Sequence, residues 1–239
     1  MFLGFWQQRI SVDIVFLIDA TGSMADCIDA VKASLGSFID TLVGDQSPIK
    51  DWRARVVGYR DANCDGDMWL ETNPFVANDI SGLRSQLDRL TAQGGGDEPE
   101  SLLDALGYVC SWGELAPAAS PDYESWRHRA ECKRAIVLFT DATYQATMSA
   151  KSGNAGGTVD DIISSLAAKR IQLLMVAPGV ACFDKLTETD NSMLVRELAS
   201  PFAESLKSLS HADESFQKVM AVLGNYATLL VETPMEIIE

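Results

Sequence analysis

The chain has 239 residues, of which 47% are hydrophobic, and its 34 acidic and 19 basic side chains give a formal net charge of -15. This length and apolar content suffice for one sizeable core, so we predict a single domain over residues 1–239, with a core at about 12–200 and a last helix at about 213–231. The negative charge repels phosphate backbones and anionic lipid headgroups, which argues against nucleic-acid and membrane partners.

Short apolar runs alternate with amphipathic stretches along the chain. This pattern predicts an α/β fold of the doubly wound type, with a mostly parallel central sheet flanked by helices on both faces. In chain order, strands are predicted at residues 14–18, 54–59, 70–76, 136–140 and 173–176, the third being the weakest. Helices are predicted at residues 24–42, 79–90, 99–110, 159–169, 192–198 and 215–230, and loops at 113–129 and 146–157.

The cysteines and histidines indicate the redox state of the compartment and the kind of metal site that the chain could form. The five cysteines form no CxxC pair, and an odd number cannot all pair within one chain. We therefore expect free thiols in a reducing compartment and a soluble, cytoplasmic protein. Residues 1–9 lack a signal-peptide pattern, and no stretch approaches the ~20 apolar residues of a membrane span. His128 and His211 have no metal-ligand spacing from each other or from a cysteine, which argues against zinc.

Polar side chains follow the predicted strands at the place where a parallel sheet binds its ligands. Asp19, Thr21 and Ser23 come directly after the first strand in the segment DIVFLIDATGSM, and Asp141 follows the apolar run at 136–139. The carboxyl ends of parallel strands share one edge of the sheet, and ligands bind there near the switch in strand order. Because carboxylate and hydroxyl oxygens are ligands of hard cations, these four residues predict a Mg²⁺ site, with Mn²⁺ or Ca²⁺ as alternative ions.

Local roles for some of these residues remain open at this point. Ser23 precedes Asp26 by three residues at the predicted start of a helix, which is also typical of an N-cap with an acidic first turn. The Asp-x-Thr-Gly sequence is also typical of a turn closed by side chain-to-backbone hydrogen bonds. Asp61 follows the second strand, but a pair such as Arg60 and Asp61 is often a solvated turn or a local salt bridge.

Three segments in a fixed order give the chain a family resemblance. Asp19-Ala20-Thr21-Gly22-Ser23 follows the first strand, the loop GGGDEPE occupies residues 94–100, and Thr140-Asp141-Ala142 follows a later strand. Over residues 12–177 the chain resembles the von Willebrand factor type A (vWA) domain family, whose metal-ion-dependent adhesion site (MIDAS) has this arrangement. The GYRD sequence at 58–61 and the GGGDEPE loop are similar to a subgroup that includes alpha-kinase-associated and hemicentin-like vWA domains.

The resemblance implies a Rossmann-like vWA fold and a metal site formed by Asp19, Thr21, Ser23, Asp97 and Asp141. Thr21 stands where the family usually has serine, and it keeps the hydroxyl ligand. Asp97 stands where the family has a threonine, and a third carboxylate would weaken the metal as a Lewis acid. Asp97 either contacts the metal, directly or through water, or Asp97 or Glu98 caps a helix with Pro99 in its first turn.

The resemblance further implies a protein-interaction module, not an enzyme, that binds an acidic side chain of a protein partner at the metal. One alternative is a vWA scaffold whose metal site is degenerate and which binds partners through other surfaces. The other is Mg²⁺-dependent phosphoryl transfer with Asp19 as nucleophile. Against it, no second Asp follows two residues later, no P-loop is present, and the nearest strand-end lysines are Lys133 and Lys151. Candidate partner contacts lie in the loops at Trp112, Trp126 and residues 144–157.

Overall fold

The computed structural model describes residues 10–44, 49–96, 98–120 and 122–198, together with the single positions 221 and 225. The strands in these ranges are β1 (Ile10–Asp19), β2 (Ile49–Tyr59), β3 (Leu70–Thr72), β4 (Val76–Ala77), β5 (Cys132–Phe139), β6 (Ile171–Pro178) and β7 (Ser192–Leu198). The α-helices are α1 (Ala25–Val43), α2 (Ile80–Arg89), α3 (Leu102–Ser111), α4 (Val159–Lys169) and α5 (Ala181–Thr187). Short 3-10 turns lie at Gly22–Met24, Gly66–Trp69 and Ala150–Ser152.

The strands form one mostly parallel sheet in the order β3-β2-β1-β5-β6-β7, with β4 also paired to β2. β1, β2, β5, β6 and β7 are paired in parallel, whereas β3 and β4 are antiparallel to β2. The chain passes through α1 to β2 on one side of β1, while β5 lies on the other side. The strand order therefore switches between β1 and β5, and the predicted doubly wound α/β fold is confirmed.

Both faces of the sheet are covered, which explains why the central strand β1 is apolar without alternation. Ile14, Phe16 and Ile18 belong to a cluster with α1 and α2, and Val15 and Leu17 belong to a second cluster with α3 and α4. All five side chains are fully buried. Burial of side chains of this size contributes about 1.5–3 kcal/mol each to folding. The two clusters therefore fix β1, and the residues that follow it, from both sides.

Most predicted elements are confirmed, and the exceptions have structural causes. The predicted strand at 70–76 is two short strands, β3 and β4, and the intervening segment contains Pro74, which donates no backbone hydrogen bond. The predicted helix at 192–198 is wrong, since these residues form β7 and pair with β6. The free backbone groups along β6 require partners, and this tertiary pairing overrides the helical spacing of the sequence.

The helix α5 has no counterpart among the predicted elements. It carries the chain from β6 to β7, because a parallel pair requires a crossover connection. The predicted helix at 215–230 lies outside the described residues except for positions 221 and 225, and the extent of the domain to residue 239 stays a prediction. All five cysteines carry free thiols. Within the described ranges, none of the helices combines the length and apolar character needed to cross a membrane.

Candidate metal site

Four of the predicted site residues meet at the carboxyl edge of the sheet. Asp19 is the last residue of β1, and Asp141 follows β5 by two residues, so the two acids flank the switch in strand order. Thr21 and Ser23 lie at the 3-10 turn that leads into α1. Asp19, Thr21 and Asp141 are buried, whereas Ser23 is exposed. The site therefore has a buried base and one side open to solvent.

A chain of hydrogen bonds joins these side chains. Thr140 Oγ1 donates to Asp19 Oδ2 at 2.9 Å, and the N–H and Oγ1 of Thr21 donate to Asp19 Oδ1 at 3.0 and 2.7 Å. Ser23 Oγ donates to Asp141 Oδ1 at 3.0 Å and lies 3.3 Å from Thr21 Oγ1. Each hydroxyl has only one proton, and in Thr21 and Ser23 that proton is used on a carboxylate. Lone pairs of both hydroxyl oxygens therefore remain available to a cation.

The two carboxylates carry negative charge in a buried place. Burial and, to a smaller extent, repulsion from Asp141 raise the pKa of Asp19 from 3.8 to about 6, although hydrogen bonds from Thr21 and Thr140 lower it. Burial also raises the pKa of Asp141. The hydrogen bonds that Asp19 receives from described residues come from hydroxyl and amide groups, not from a cationic side chain. A bound cation would offset the free-energy cost of these buried charges.

Long-range bonds distinguish the site from a local cap or turn. The first residues of the 3-10 turn and of α1 have no side-chain capping bond from Thr21 or Met24. The Ser23 hydroxyl instead reaches Asp141, 118 residues away in sequence. The predicted turn is present, because Asp19 accepts from the Thr21 N–H, but Asp19 also accepts from Thr140 at the end of another strand. Capping therefore does not account for Ser23, and a turn accounts for only part of Asp19.

The glycine-rich loop approaches Thr21 closely. Its three glycines at 94–96 have positive φ angles of 70°, 99° and 59°, a conformation that glycine adopts without strain. A Cβ atom on Gly95 would stand 2.5 Å from Thr21 Cγ2 and 2.8 Å from Glu100 Oε1. Only glycine therefore allows this approach. Asp97, the fifth predicted site residue, lies outside the described residues.

The capping role considered for Asp97 or Glu98 is wrong for Glu98. Helix α3 begins at Leu102, and its N-cap position is Ser101. Glu98 is exposed, and its Oε2 accepts hydrogen bonds from the N–H and Oγ1 of Thr143 at 3.3 and 3.1 Å. Glu98 thus connects the glycine-rich loop to the segment that follows Asp141, instead of starting the helix.

Glu100 is a buried carboxyl that the sequence motif did not single out. Only 4% of this residue is exposed, and its Oε2 has no hydrogen-bond partner among the described residues. Burial raises the pKa of Glu100 to about 9, and repulsion from Asp19, Asp61, Asp65 and Asp141 contributes to the shift. The second glutamate of GGGDEPE has no sequence feature that indicates burial, because glutamates in polar loops are usually exposed.

The family of the chain is evident over most of its sheet. A family model described as the von Willebrand factor A domain matches residues 13–175, more than half of the 239 residues. The chain belongs to the von Willebrand factor A domain family. A search for relatives among curated proteins found no match. Members of the vWA family are generally protein-interaction modules, and they often bind a divalent metal at a MIDAS.

The side chains of this vWA domain fit a hard cation such as Mg²⁺. The set around Asp19 and Asp141 contains only oxygen, and two carboxylates leave coordination positions for water. In the part of the chain that the structure describes, no three His, Cys, Asp or Glu side chains are grouped to hold a metal ion. A metal here would therefore depend on the hydroxyls of Thr21 and Ser23. Glu100, buried beside the same glycine-rich loop, has a pKa of about 9 and is therefore neutral at pH 7, so it adds no negative charge to this set.

Arg60 and Asp61 of the GYRD sequence are buried at the end of β2. Asp61 Oδ1 accepts hydrogen bonds from Ser101 Oγ at 3.1 Å and from the Asn63 N–H at 2.8 Å. Arg60 forms its ion pair with Glu71 at 3.9 Å and donates its hydrogen bonds to backbone carbonyls. The interpretation of the pair as a solvated turn is therefore wrong, and both residues stabilise the loops beside the site.

The aromatic residues considered as partner contacts pack onto the vWA domain itself. Trp126 is fully buried and Trp112 nearly so, and their ring centroids are 5.6 Å apart. The guanidinium of Arg55 lies 3.9 Å from the Trp112 ring centroid. Tyr144 is half-buried, and its hydroxyl donates to the backbone carbonyl of Cys182. Trp112 and Trp126 therefore anchor their loop, while partner contact by the exposed residues of the segment 144–157 stays a prediction.

Proposed function

We propose that this vWA domain is a divalent-metal-dependent interaction module that binds an acidic side chain of a protein partner through a MIDAS-like site. Asp19, Thr21, Ser23 and Asp141 would hold Mg²⁺, directly or through water, and Asp97 is the further candidate from the glycine-rich loop. The observation that carries the proposal is the convergence of two buried carboxylates and two hydroxyls at the switch in strand order. When bound, the metal supplies a Lewis-acidic position that attracts an anionic ligand.

The charge of the chain supports a metal as the point of attachment for an acidic group. A protein with a net charge of -15 repels a partner's carboxylate over most of its surface. The carboxylates of Asp19 and Asp141 would repel it at the site itself. A divalent cation reverses this sign locally, so the proposed binding of an acidic side chain requires the metal. The GYRD and GGGDEPE segments support placement in the alpha-kinase-associated and hemicentin-like subgroup.

A metal-independent scaffold is the second candidate function, and one observation favours it. The hydroxyl groups of Thr21, Ser23 and Thr140 donate their protons to the two carboxylates. Such a hydrogen-bonded chain would also hold the loops together if partners bound elsewhere. Mutation of Asp141 to Ala with unchanged partner capture would favour this candidate over the metal-dependent module.

Phosphoryl transfer is less compatible with the positions of the two lysines. Lys133 lies near the start of β5, whereas Asp141 follows the end of that strand. Lys151 donates to the backbone carbonyl of Gly66. Asp19 is fully buried, so an in-line approach to a phosphate ester would require the loops above it to open. We therefore propose an interaction module and not an enzyme.

Isothermal titration calorimetry with Mg²⁺ and Mn²⁺ tests the metal site directly. Wild type should bind one ion, and Asp19→Ala and Asp141→Ala should each lose at least tenfold in affinity, because each removes a carboxylate ligand. Asp26→Ala, an exposed aspartate in the first turn of α1, is the matched control and should keep wild-type affinity. Equal heats in wild type and Asp19→Ala, or no heat in wild type, would refute the metal site.

A pair of peptides tests the ligand class. A short peptide with a central glutamate and the same peptide with glutamine should be titrated with saturating Mg²⁺ and again with a chelator. The proposal expects measurable binding only for the glutamate peptide in the presence of Mg²⁺, because only a carboxylate can occupy the open coordination position. Equal binding of both peptides, or binding that survives the chelator, would contradict metal-dependent recognition.

A further inference from the structure

Arg60 is a buried guanidinium that joins three separate segments at the carboxyl edge of the sheet. Its Nε donates to the carbonyls of Ala20 at 3.1 Å and Gln93 at 3.0 Å. Its Nη1 donates to Met68 O and its Nη2 to Thr91 O, both at 2.8 Å. Only 2% of the residue is exposed. One side chain therefore holds the loop after β1, the 3-10 turn before β3 and the segment before the glycine-rich loop.

The first of these carbonyls lies within the proposed site. Ala20 stands between Asp19 and Thr21, so its position determines the direction in which both side chains leave the backbone. The Ala20 carbonyl also accepts from the Gln93 N–H at 2.9 Å, and the Ala20 N–H donates to Tyr59 O at 2.8 Å. The Ala20 carbonyl is thus bonded to Gln93, which Arg60 also contacts, and the Ala20 N–H is bonded to Tyr59, which precedes Arg60 in the chain.

The second contact fixes the glycine-rich loop against the same residues. Thr91 and Gln93 lead directly into Gly95, which packs against Thr21. A close approach of Leu90 supports this arrangement, since a Cβ atom on Gly58 would collide with Leu90 Cδ1. The Arg60 guanidinium therefore sets the spacing between the segment that carries Asp19 and Thr21 and the loop that closes over them.

Arginine suits this task for a chemical reason. A guanidinium has five N–H donors in a rigid plane and can serve several carbonyls at fixed angles, whereas a lysine ammonium is a single flexible point. The nearest carboxylate to Arg60 is that of Glu71, which lies 3.9 Å away and is partly exposed. Carbonyl groups satisfy most of the buried donors, so the residue acts chiefly as a backbone clamp.

We propose that Arg60 is a positioning residue of the metal site, which holds the loop of Asp19 and Thr21 and the glycine-rich loop in the arrangement that binds the cation. This inference rests on the proposed function. Arg60 does not contact the metal and acts through the carbonyl of Ala20 and those of the 91–93 segment. Its loss lets the two loops separate, and the ligand oxygens no longer share one centre.

Charge and positioning predict opposite effects of removing Arg60. If the guanidinium acted only by its charge, its removal would take a positive group away from the site and would tighten the binding of Mg²⁺. If it positions the loops, removal weakens binding despite the more favourable electrostatics. Arg60→Lys retains the charge and removes the planar fork, so it isolates the geometric contribution.

The matched control is Arg55→Met on β2, the strand that Arg60 directly follows. Arg55 is also 2% exposed, but it donates to Thr72 Oγ1 and stacks on Trp112, away from the site. Calorimetric titration with Mg²⁺ should give at least tenfold weaker binding for Arg60→Met, several-fold weaker binding for Arg60→Lys, and wild-type affinity for Arg55→Met. Amide hydrogen exchange should become faster at 20–23 and at 91–95 in both Arg60 variants and remain unchanged there in Arg55→Met.

Each outcome of this experiment decides the inference. Unchanged or tighter Mg²⁺ binding in the Arg60 variants would overturn it, and so would an equal loss of affinity in Arg55→Met. If Arg60→Met does not fold, Arg60→Lys decides alone. Absence of Mg²⁺ binding in wild type would refute the proposed function itself, and the inference with it, before any variant is compared. Normal wild-type binding with normal Arg60 variants would refute only the role of Arg60.

Discussion

Two aspartates on the same strand, Asp13 and Asp19, have opposite environments although both are fully buried. Arg53 donates to both oxygens of Asp13 at 3.0 and 2.6 Å, and Arg127 Nε adds a third bond at 2.7 Å. Burial by itself would raise the pKa of Asp13, but these guanidiniums lower it below its ordinary value. The chain thus supplies the countercharge for Asp13 from its own residues.

Asp19 receives no such countercharge from the described residues. Its hydrogen bonds come from Thr21 and Thr140, and burial raises its pKa to about 6. The comparison teaches that burial of an acid does not by itself indicate a functional site. The groups around the acid distinguish the two cases. Guanidinium groups neutralise Asp13 within an ion pair, whereas hydroxyl groups, whose oxygens can also bind a cation, surround Asp19.

Breaking the ion pair of Asp13 should have the largest effect on stability. Asp13→Asn leaves the buried Arg53 without its countercharge and Arg127 with Asp51 alone. We expect this change to lower the free energy of unfolding by about 3–5 kcal/mol. Urea denaturation measures this change. Asp88→Asn, at an exposed position on α2, is the control and should leave the midpoint nearly unchanged. A change of less than 1 kcal/mol in Asp13→Asn would contradict the comparison.

The pH dependence of stability should separate the two acids. The pKa of Asp19 is about 6 in the folded protein against an ordinary value of 3.8, a difference that corresponds to roughly 3 kcal/mol. Because the pKa of Asp19 is raised on folding, its protonated form stabilises the folded protein. This contribution to the free energy of unfolding is complete below about pH 4 and is lost as the pH rises through 6. Asp13 has a lowered pKa, so its contribution is lost only at lower pH. Urea denaturation with a chelator at pH 4 to 8, in wild type and Asp19→Asn, measures the difference. Parallel curves would contradict this expectation.

Substitution of Asp19 should stabilise the metal-free protein and reduce its stabilisation by metal. Asp19→Asn removes a buried charge, and we expect a gain of about 1–3 kcal/mol in the free energy of unfolding at pH 7.5 with a chelator. Mg²⁺ at 100 times the wild-type dissociation constant should add about 2.7 kcal/mol to wild type and, after an at least tenfold loss of affinity, about 1.4 kcal/mol or less to the variant. Thermal and urea unfolding with and without Mg²⁺ test both the gain in stability of the metal-free variant and the change in its stabilisation by Mg²⁺. A destabilised variant that Mg²⁺ stabilises as much as wild type would show that Asp19 resembles Asp13.

The smallest effect concerns the loop above Thr21. Gly95→Ala and Gly153→Ala both place alanine at a positive φ, 99° and 79°, so backbone strain should cost each variant about 1 kcal/mol of stability. Only the new Cβ at Gly95 meets Thr21, whereas nothing lies within 4 Å of that position at Gly153. Calorimetry should therefore give about tenfold weaker Mg²⁺ binding for Gly95→Ala alone, about 1.4 kcal/mol. Equal affinities in the two variants would remove Thr21 from the proposed site.

The parts of the molecule that the sequence predicted well are those with local signals. Apolar runs predicted β1 and β5, and the polar residues directly after them predicted where Asp19 and Asp141 lie. The structure brings Thr21 and Ser23 to the same place, while their role as ligands stays a proposal. The assignment of 192–198 failed because an edge strand is defined by its neighbour β6, not by its own residues.

Two charged residues show a second limit of sequence reading. Glu100 and Arg60 are both buried, and both belong to sequences that are typical of exposed turns. The burial of Arg60 depends on carbonyls of three segments that are distant in the chain, and that of Glu100 depends on the path of the glycine-rich loop. No pattern within either segment contains this information, because it arises only when the sheet and its loops assemble.

The hydroxyl groups of Thr21 and Ser23 link the two acids of the site, and a third hydroxyl, that of Thr140, donates to Asp19. A hydroxyl hydrogen turns about a single C–O bond, so all these links can be released without displacement of a heavy atom. The proposed metal would therefore enter a site whose oxygens are already in place. Mg²⁺ gives up its own water reluctantly. The rate of metal binding would then be limited by the loss of water from the ion, because rotation of the hydroxyl groups is faster than that step.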